Sequence, residues 1–242
     1  MNKKKSLVGA LLASALCVCA LGAFAATSAS AATMHECLST GGGTGTKYTT
    51  SECNTPGSGS FETVAIPAGS AVNVTPTGTS NFTLGITAGG VKFKISCTGL
   101  MGIGTEAGGE ATAENNASPM DVKGMGRSEF TGCGVVEPTT CTVNSTLTTT
   151  DLTSTTEGLK TKFTANSGTF INILVGGTSC PEALKGNKAV KGSATSVANG
   201  TTSQEFTETS SALTFGGQAA TFLGKYHTAT KANGVLIALE EP

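Results

Sequence analysis

The chain has 242 residues, 13% of them charged, with a formal net charge of −1 at pH 7 and no tryptophan. That length holds one large all-β domain or two small ones, and the charged fraction is well below the roughly 25% usual for a globular domain. Lys3, Lys4 and Lys5 lie in a segment expected to be removed, and without them 12 basic residues face 16 acidic ones. Such a balance offers no clustered Lys and Arg for a phosphate backbone, so it argues against a nucleic-acid partner.

Residues 1–31 read as a signal peptide. A basic start is followed by an apolar run from Leu7 to Ala25 and then by small residues, with Ala29-Ser30-Ala31 as the cleavage site. A second site follows Ala25. The alternative is an uncleaved anchor, since the run is about long enough to span a bilayer, but it is rich in alanine and ends in a good cleavage site. Neither Cys17 nor Cys19 follows the small residue expected before a lipidated cysteine.

Removal of residues 1–31 leaves six cysteines: Cys37, Cys53, Cys97, Cys133, Cys141 and Cys180. An even number in an exported chain implies a disulfide framework. Six cysteines allow about 15 pairings, and spacing alone does not choose among them. Closeness in sequence favours Cys37–Cys53 and Cys133–Cys141, which leaves Cys97–Cys180 as the long-range link. A structural zinc site needs closely spaced ligand pairs such as C-x2-C, and the mature chain has none.

Residues 32–60 are poor in apolar side chains and contain Gly41-Gly42-Gly43, so they read as a disulfide-pinned, Gly/Ser-rich N-terminal arm. Residues 61–242 read as a single β-rich domain. Strand patterns occur at Phe61–Pro67 and Ala71–Pro76. Phe82, Leu84 and Ile86 then alternate with polar or small residues, as do Val91, Phe93, Ile95 and Cys97. The Ala88-Gly89-Gly90 step between these two runs fits a hairpin turn. Residues 99–119 hold five glycines and no sustained period, which predicts a long loop. Further strands are expected at 128–133, 141–150, 159–165, 169–175 and 188–197, and again at 205–209, 212–217, 220–230 and 234–242. A short helix is expected at Pro181–Lys185 with Ser179 as its cap. The whole predicts an all-β fold, an antiparallel β-sandwich or partly open barrel stapled by disulfides.

The chemistry-bearing residues are few. The chain has two histidines, His35 and His227, and two aspartates, Asp121 and Asp151, and it lacks the G-x-S-x-G elbow of a serine hydrolase. Two histidines so far apart in sequence do not form a ligand cluster. Glu106, Glu110 and Glu114 recur every four residues and could supply paired carboxylates to a glycosidase, or weak oxygen ligands to calcium. Gly108 and Gly109 between them favour a solvated loop. The Gly41–Lys47 and Gly99–Gly104 runs lack phosphate-loop order and read as turns. No catalytic, cofactor-binding or metal residue is assigned, and the six cysteines are the only site residues expected. Five N-x-[ST] sequons, at Asn73, Asn81, Asn116, Asn144 and Asn199, matter only in a host that glycosylates exported proteins.

Lys94–Gly99 (KISCTG), Phe130–Cys133, Cys141, Leu147–Leu152 (LTTTDL), Cys180 with the later Ala189–Ser193, and Leu213–Gly224 (LTFGGQAATFLG) carry a further signal. Over roughly residues 90–224 the chain resembles a group of secreted, cysteine-patterned proteins of soil actinobacteria of the Solirubrobacter type. The resemblance implies export and a fold, and no reaction. The expected role is therefore a secreted or cell-surface structural or binding module, with a cell-wall polymer or another surface protein as partner. The alternatives are an extracellular carboxylate-dependent hydrolase and a subunit of a surface assembly.

Overall fold

The computed structural model describes residues 32–39, 47–78, 81–88, 91–115, 122–198 and 202–240. These form seventeen strands. The first six are β1 (Thr33–Ser39), β2 (Lys47–Tyr48), β3 (Phe61–Ala65), β4 (Ser70–Gly78), β5 (Phe82–Ala88) and β6 (Val91–Cys97). Then come β7 (Gly99–Ile103), β8 (Thr112–Asn115), β9 (Val122–Thr131), β10 (Gly134–Glu137), β11 (Thr146–Thr148) and β12 (Leu152–Glu157). The long strands close the chain: β13 (Lys160–Val175), β14 (Gly186–Ala198), β15 (Ser203–Phe215), β16 (Gln218–Thr230) and finally the short β17 (Leu236–Glu240).

Every pairing between these strands is antiparallel, and together they make one sheet. The ladder runs from β4 through β16, β15, β14, β13, β12, β9 and β8, and returns to β4. Other strands branch from this circuit. The first half of β16 pairs with β5, which leads to β6 and β10, and the end of β16 pairs with β17, which leads to β1, β3 and β2. The expected all-β antiparallel class therefore holds, as a curled, branched sheet and not as a clean barrel.

Alternation decides which side faces in. Phe82 and Ile86 on β5, and Phe93, Ile95 and Cys97 on β6, are buried, while Lys92 and Lys94 are exposed. The nine phenylalanines among the described residues are all buried or half-buried. Seven of them pack ring against ring, with Phe206–Phe222 ring centroids 4.8 Å apart and Phe93–Phe215 5.2 Å apart. A chain poor in bulky side chains thus concentrates all of them but Phe61 in one core, where each buries on the order of 150–250 Å². A second core gathers Met34, Ile66, Val74, Ala111, Val122 and Ile237, and a small third one gathers Cys37, Tyr48 and Cys53.

Several sequence expectations are corrected. Residues 159–165 and 169–175 are not two strands but one, β13, interrupted at Gly168, whose φ of +76° marks the register shift between Thr164 and Thr169. The 205–209 and 212–217 patterns likewise fuse into β15. The stretch from Gly99 is not a long loop, because β7 and β8 both pair with β4 and β9, leaving a tight turn at 104–110. Gly102 marks packing there, since a Cβ on it would lie 2.1 Å from the Pro76 ring. The N-terminal arm contributes β1 between β3 and β17. Pro181–Lys185 makes a single turn instead of a helix, closed by Leu184 N–H to Pro181 O at 2.9 Å. Ala88 pairs with Val91 as a hairpin requires, while Gly89 and Gly90 lie outside the described residues.

All six cysteines are paired: Cys37–Cys53, Cys97–Cys133 and Cys141–Cys180. The first matches the expectation from spacing, and the other two do not. Register explains the difference. β10 pairs with β6 with Gly134 opposite Ser96, so Cys133 stands opposite Cys97. Thr142 bridges Gly176, which sets Cys141 beside the turn that ends at Cys180.

Candidate functional site

The two larger cores do not merge. Between them, inside the strand circuit, lies a cavity of about 100 Å³, reached by Met34, Val74, Ala111 and Ile237 from one core and by Leu152 and Tyr226 from the other. Its existence follows from small side chains. Gly124, Gly126 and Ser128 stand where β9 faces inward, opposite Ser154 and Leu152 of β12. A Cβ on Gly124 would meet Ser154 Oγ at 2.5 Å, and one on Gly126 would meet Ala111 Cβ at 2.6 Å. The inner surface of β9 is therefore covered by Ser154 and Ala111, neither long enough to cross the interior. Met125 and Arg127, both partly exposed, stand at the rim.

One wall is polar and neutral. Tyr226 Oη and Ser196 Oγ are 2.8 Å apart, Ser196 Oγ is 3.3 Å from Gln204 Oε1, and Thr156 and Thr161 hydroxyls bond at 3.0 Å. All five residues are buried. Burial pushes the Tyr226 phenol well above the ordinary tyrosine range, and the Ser196 hydrogen bond opposes this in part. A phenol held neutral in this way can donate a hydrogen bond but does not serve as a base near neutral pH. Gln204 is 5% exposed, and its Oε1 accepts from Ser196 Oγ.

Arg127 is the chain's single arginine and the one formally charged residue lining the cavity. Its Nε donates to Gly104 O at 2.8 Å and its Nη2 to Thr105 O at 3.3 Å, with Asp151 Oδ1 3.9 Å away. Asp151 Oδ1 in turn accepts the Glu106 N–H at 2.8 Å. This group fastens the 104–110 turn to the sheet.

The chemistry-bearing residues singled out from sequence are dispersed. Glu106 is exposed on that turn, Glu110 is ion-paired with Lys231, and Glu114 is exposed on β8 opposite Lys123. None of the three lines the cavity. His35 bonds Thr33 Oγ1 at 2.8 Å and lies 3.7 Å from Glu240, while His227 Nδ1 lies 3.1 Å from Thr202 O. Asp121 and residues 40–46 lie outside the described residues. Among the described residues, no group of three or more His, Cys, Asp or Glu is placed to hold a metal ion. Gly99–Ile103 is strand β7 and not the turn expected from sequence. Sequence reading missed Gln204, Tyr226 and Ser196, which carry no motif and meet only through strand register.

Comparison with family models, with curated proteins and with solved structures found no match. The disulfides are consistent with an extracellular location. No helix among the described residues is long and apolar enough to cross a membrane.

Proposed function

We propose that the chain is an exported protein that works at the cell surface as a non-catalytic structural or binding module. The observation that carries this reading is the complete pairing of Cys37, Cys53, Cys97, Cys133, Cys141 and Cys180 across three parts of one sheet. Three disulfides in one domain suit an oxidising compartment, where such bonds persist. Residues 1–31 would direct export and be cleaved before Ala32. The resemblance to secreted, cysteine-patterned actinobacterial proteins supports the same placement.

The partner would be a cell-wall polymer or another surface protein. Polymer binding would rely on hydrogen bonds from strand faces such as Thr153, Thr155, Lys162 and Thr164, because the described aromatic side chains are turned inward and offer no stacking platform. Protease accessibility on intact cells, together with the N-terminal sequence of the mature protein, tests export. Retention on cell-wall fractions tests the partner, and a protein confined to the cytosol with residue 1 intact would refute the reading.

One observation favours a surface assembly as the second reading. β10 pairs only with β6 among the described strands and presents Val136, 49% exposed, on a short edge. Sedimentation would show self-association that Val136→Lys abolishes. A hydrolase using Glu106, Glu110 and Glu114 has no comparable support, and replacing all three with Gln should leave any polysaccharide turnover unchanged.

A further inference from the structure

We infer that the outer face of the sheet, from β13 across β14, β15, β16 and β5 to β6, binds a linear acidic polysaccharide, a sugar polymer carrying carboxylates. This inference rests on the proposed surface role and names both the class of partner and the face that meets it.

Charge is segregated by strand. β5, β6, β13 and β14 hold Lys92, Lys94, Lys160, Lys162, Lys188 and Lys191 and no aspartate or glutamate. That is half of the 12 basic residues that remain after removal of residues 1–31, in a chain where acidic residues outnumber them. Leu213–Leu223, which joins β14 to β5 through the end of β15 and the start of β16, carries no charge.

Alternation aims these cations outward. Lys92 and Lys94 flank the buried Phe93, Lys162 follows the buried Thr161, and Lys191 follows the buried Val190, so all four are exposed. Lys188 is held by Ala183 O at 2.9 Å, Lys160 stands opposite Glu157, and Lys94 stands opposite Glu137. Lys162, by contrast, lies between Thr155 and Thr195, and Lys191 between Thr169 and Thr214. Their cross-strand neighbours are threonines, which leaves their charge for an anion from outside.

Hydroxyls fill the space between the charges. Thr164 stands opposite Ser193, and Thr221 of β16 stands opposite Gly85, itself opposite Lys94. With neighbouring strands about 4.8 Å apart, β13 and β6 are separated by about 24 Å along the sheet, a span of several sugar units. Widely spaced cations with hydroxyls between them match carboxylates spaced along a sugar chain. Closely set phosphates call for the guanidinium fork, and the single arginine, Arg127, is committed to Gly104 O and Thr105 O.

Calorimetric titration of the mature, fully oxidised protein with polygalacturonate, and with dextran as the neutral control, tests the face. Polygalacturonate should bind and dextran should not. Raising NaCl from about 50 to 200 mM should weaken binding roughly fivefold or more, because the contacts are exposed and screened. Lys162→Gln and Lys191→Gln should each weaken it about two- to fivefold, and Lys92→Gln, Lys162→Gln and Lys191→Gln together about tenfold or more. Lys231→Gln, whose lysine pairs with Glu110, should bind as the wild type does. Absence of binding, equal binding of dextran, tighter binding of polyphosphate or single-stranded DNA, or an unchanged triple variant overturns the inference. Equal retention of wild type and triple variant on cell-wall fractions overturns this inference alone, whereas a cytosolic protein overturns the surface role beneath it.

Discussion

Ser196 Oγ on β14 and Tyr226 Oη on β16 lie 2.8 Å apart, so their hydrogen bond crosses over the intervening strand β15. Both residues are buried. The bond ties three neighbouring strands together beside the cavity, which makes the folded state sensitive to the protonation of a single phenol.

The sign of that sensitivity follows from burial. Desolvation raises the folded-state pKa of Tyr226 above its unfolded value, near 10 for a free tyrosine. The folded protein therefore holds the phenolic proton more tightly than the unfolded chain. The contribution is fully present below about pH 10 and declines by about 1.4 kcal/mol for each pH unit above it. Denaturant midpoints at pH 9 and above pH 10 should show this loss in the wild type, and a smaller loss in Tyr226→Phe.

At neutral pH, Tyr226→Phe should cost about 0.5–1.5 kcal/mol, the usual net worth of a hydrogen bond. Ser196 keeps Gln204 Oε1 and Thr161 O as acceptors, at 3.3 and 3.5 Å, so it is not left orphaned. Adding Ser196→Ala should cost less in the Tyr226→Phe background than alone. Equilibrium unfolding of the four proteins in this double-mutant cycle checks the coupling.

Phe82 packs against Gly224 of β16 and Gly78 of β4. A Cβ on Gly224 would come within 2.2 Å of Phe82 Cδ1, and one on Gly78 within 2.8 Å of Phe82 Cζ. Gly224→Ala should therefore destabilise by about 1–3 kcal/mol through overpacking. Phe82→Ala should cost about 3–5 kcal/mol, because this ring is 1% exposed and touches Phe130 and Phe222. Combining the two should cost less than their sum, which thermal unfolding can measure.

These glycines show what is legible in a sequence and what is not. The runs Phe82–Ile86 and Val91–Cys97 declare themselves because their period of two is unbroken, and both are strands as read. Gly102 and Gly168 mislead because a glycine that permits close packing or a bulge looks the same as one that makes a turn. The stretch from Gly99 therefore reads as a loop, and β13 reads as two strands. Cys37–Cys53 is readable because its loop is short, whereas Cys97–Cys133 and Cys141–Cys180 depend on which strands lie side by side. The cavity is least legible of all. It arises from Gly124, Ser154 and Ala111 being small at positions that converge only in three dimensions.

The Arg127–Asp151 group offers a local test. Its members are partly exposed, so the ion pair itself is screened and its worth is modest. Asp151→Asn or Arg127→Leu should cost about 1 kcal/mol globally, yet each should loosen the 104–110 turn selectively. Amide exchange of Glu106, whose N–H bonds Asp151 at 2.8 Å, should accelerate at least tenfold. Exchange at Phe93 and Ile95 should change little.

The disulfides bear most of the constraint on the unfolded chain. The loops close over 16, 36 and 39 residues, for which the chain-entropy account gives about 3–4 kcal/mol each. Cys97→Ala with Cys133→Ala should thus lower stability by about that amount, and should free the β6–β10 edge before the rest of the sheet.

Non-reducing peptide mapping of the exported protein tests the central claim most directly. The expected result is three cross-linked peptide pairs, Cys37 with Cys53, Cys97 with Cys133 and Cys141 with Cys180, and no free thiol. Recovery of Cys133 linked to Cys141, of Cys97 linked to Cys180, or of reduced cysteines in a protein of full stability would contradict it.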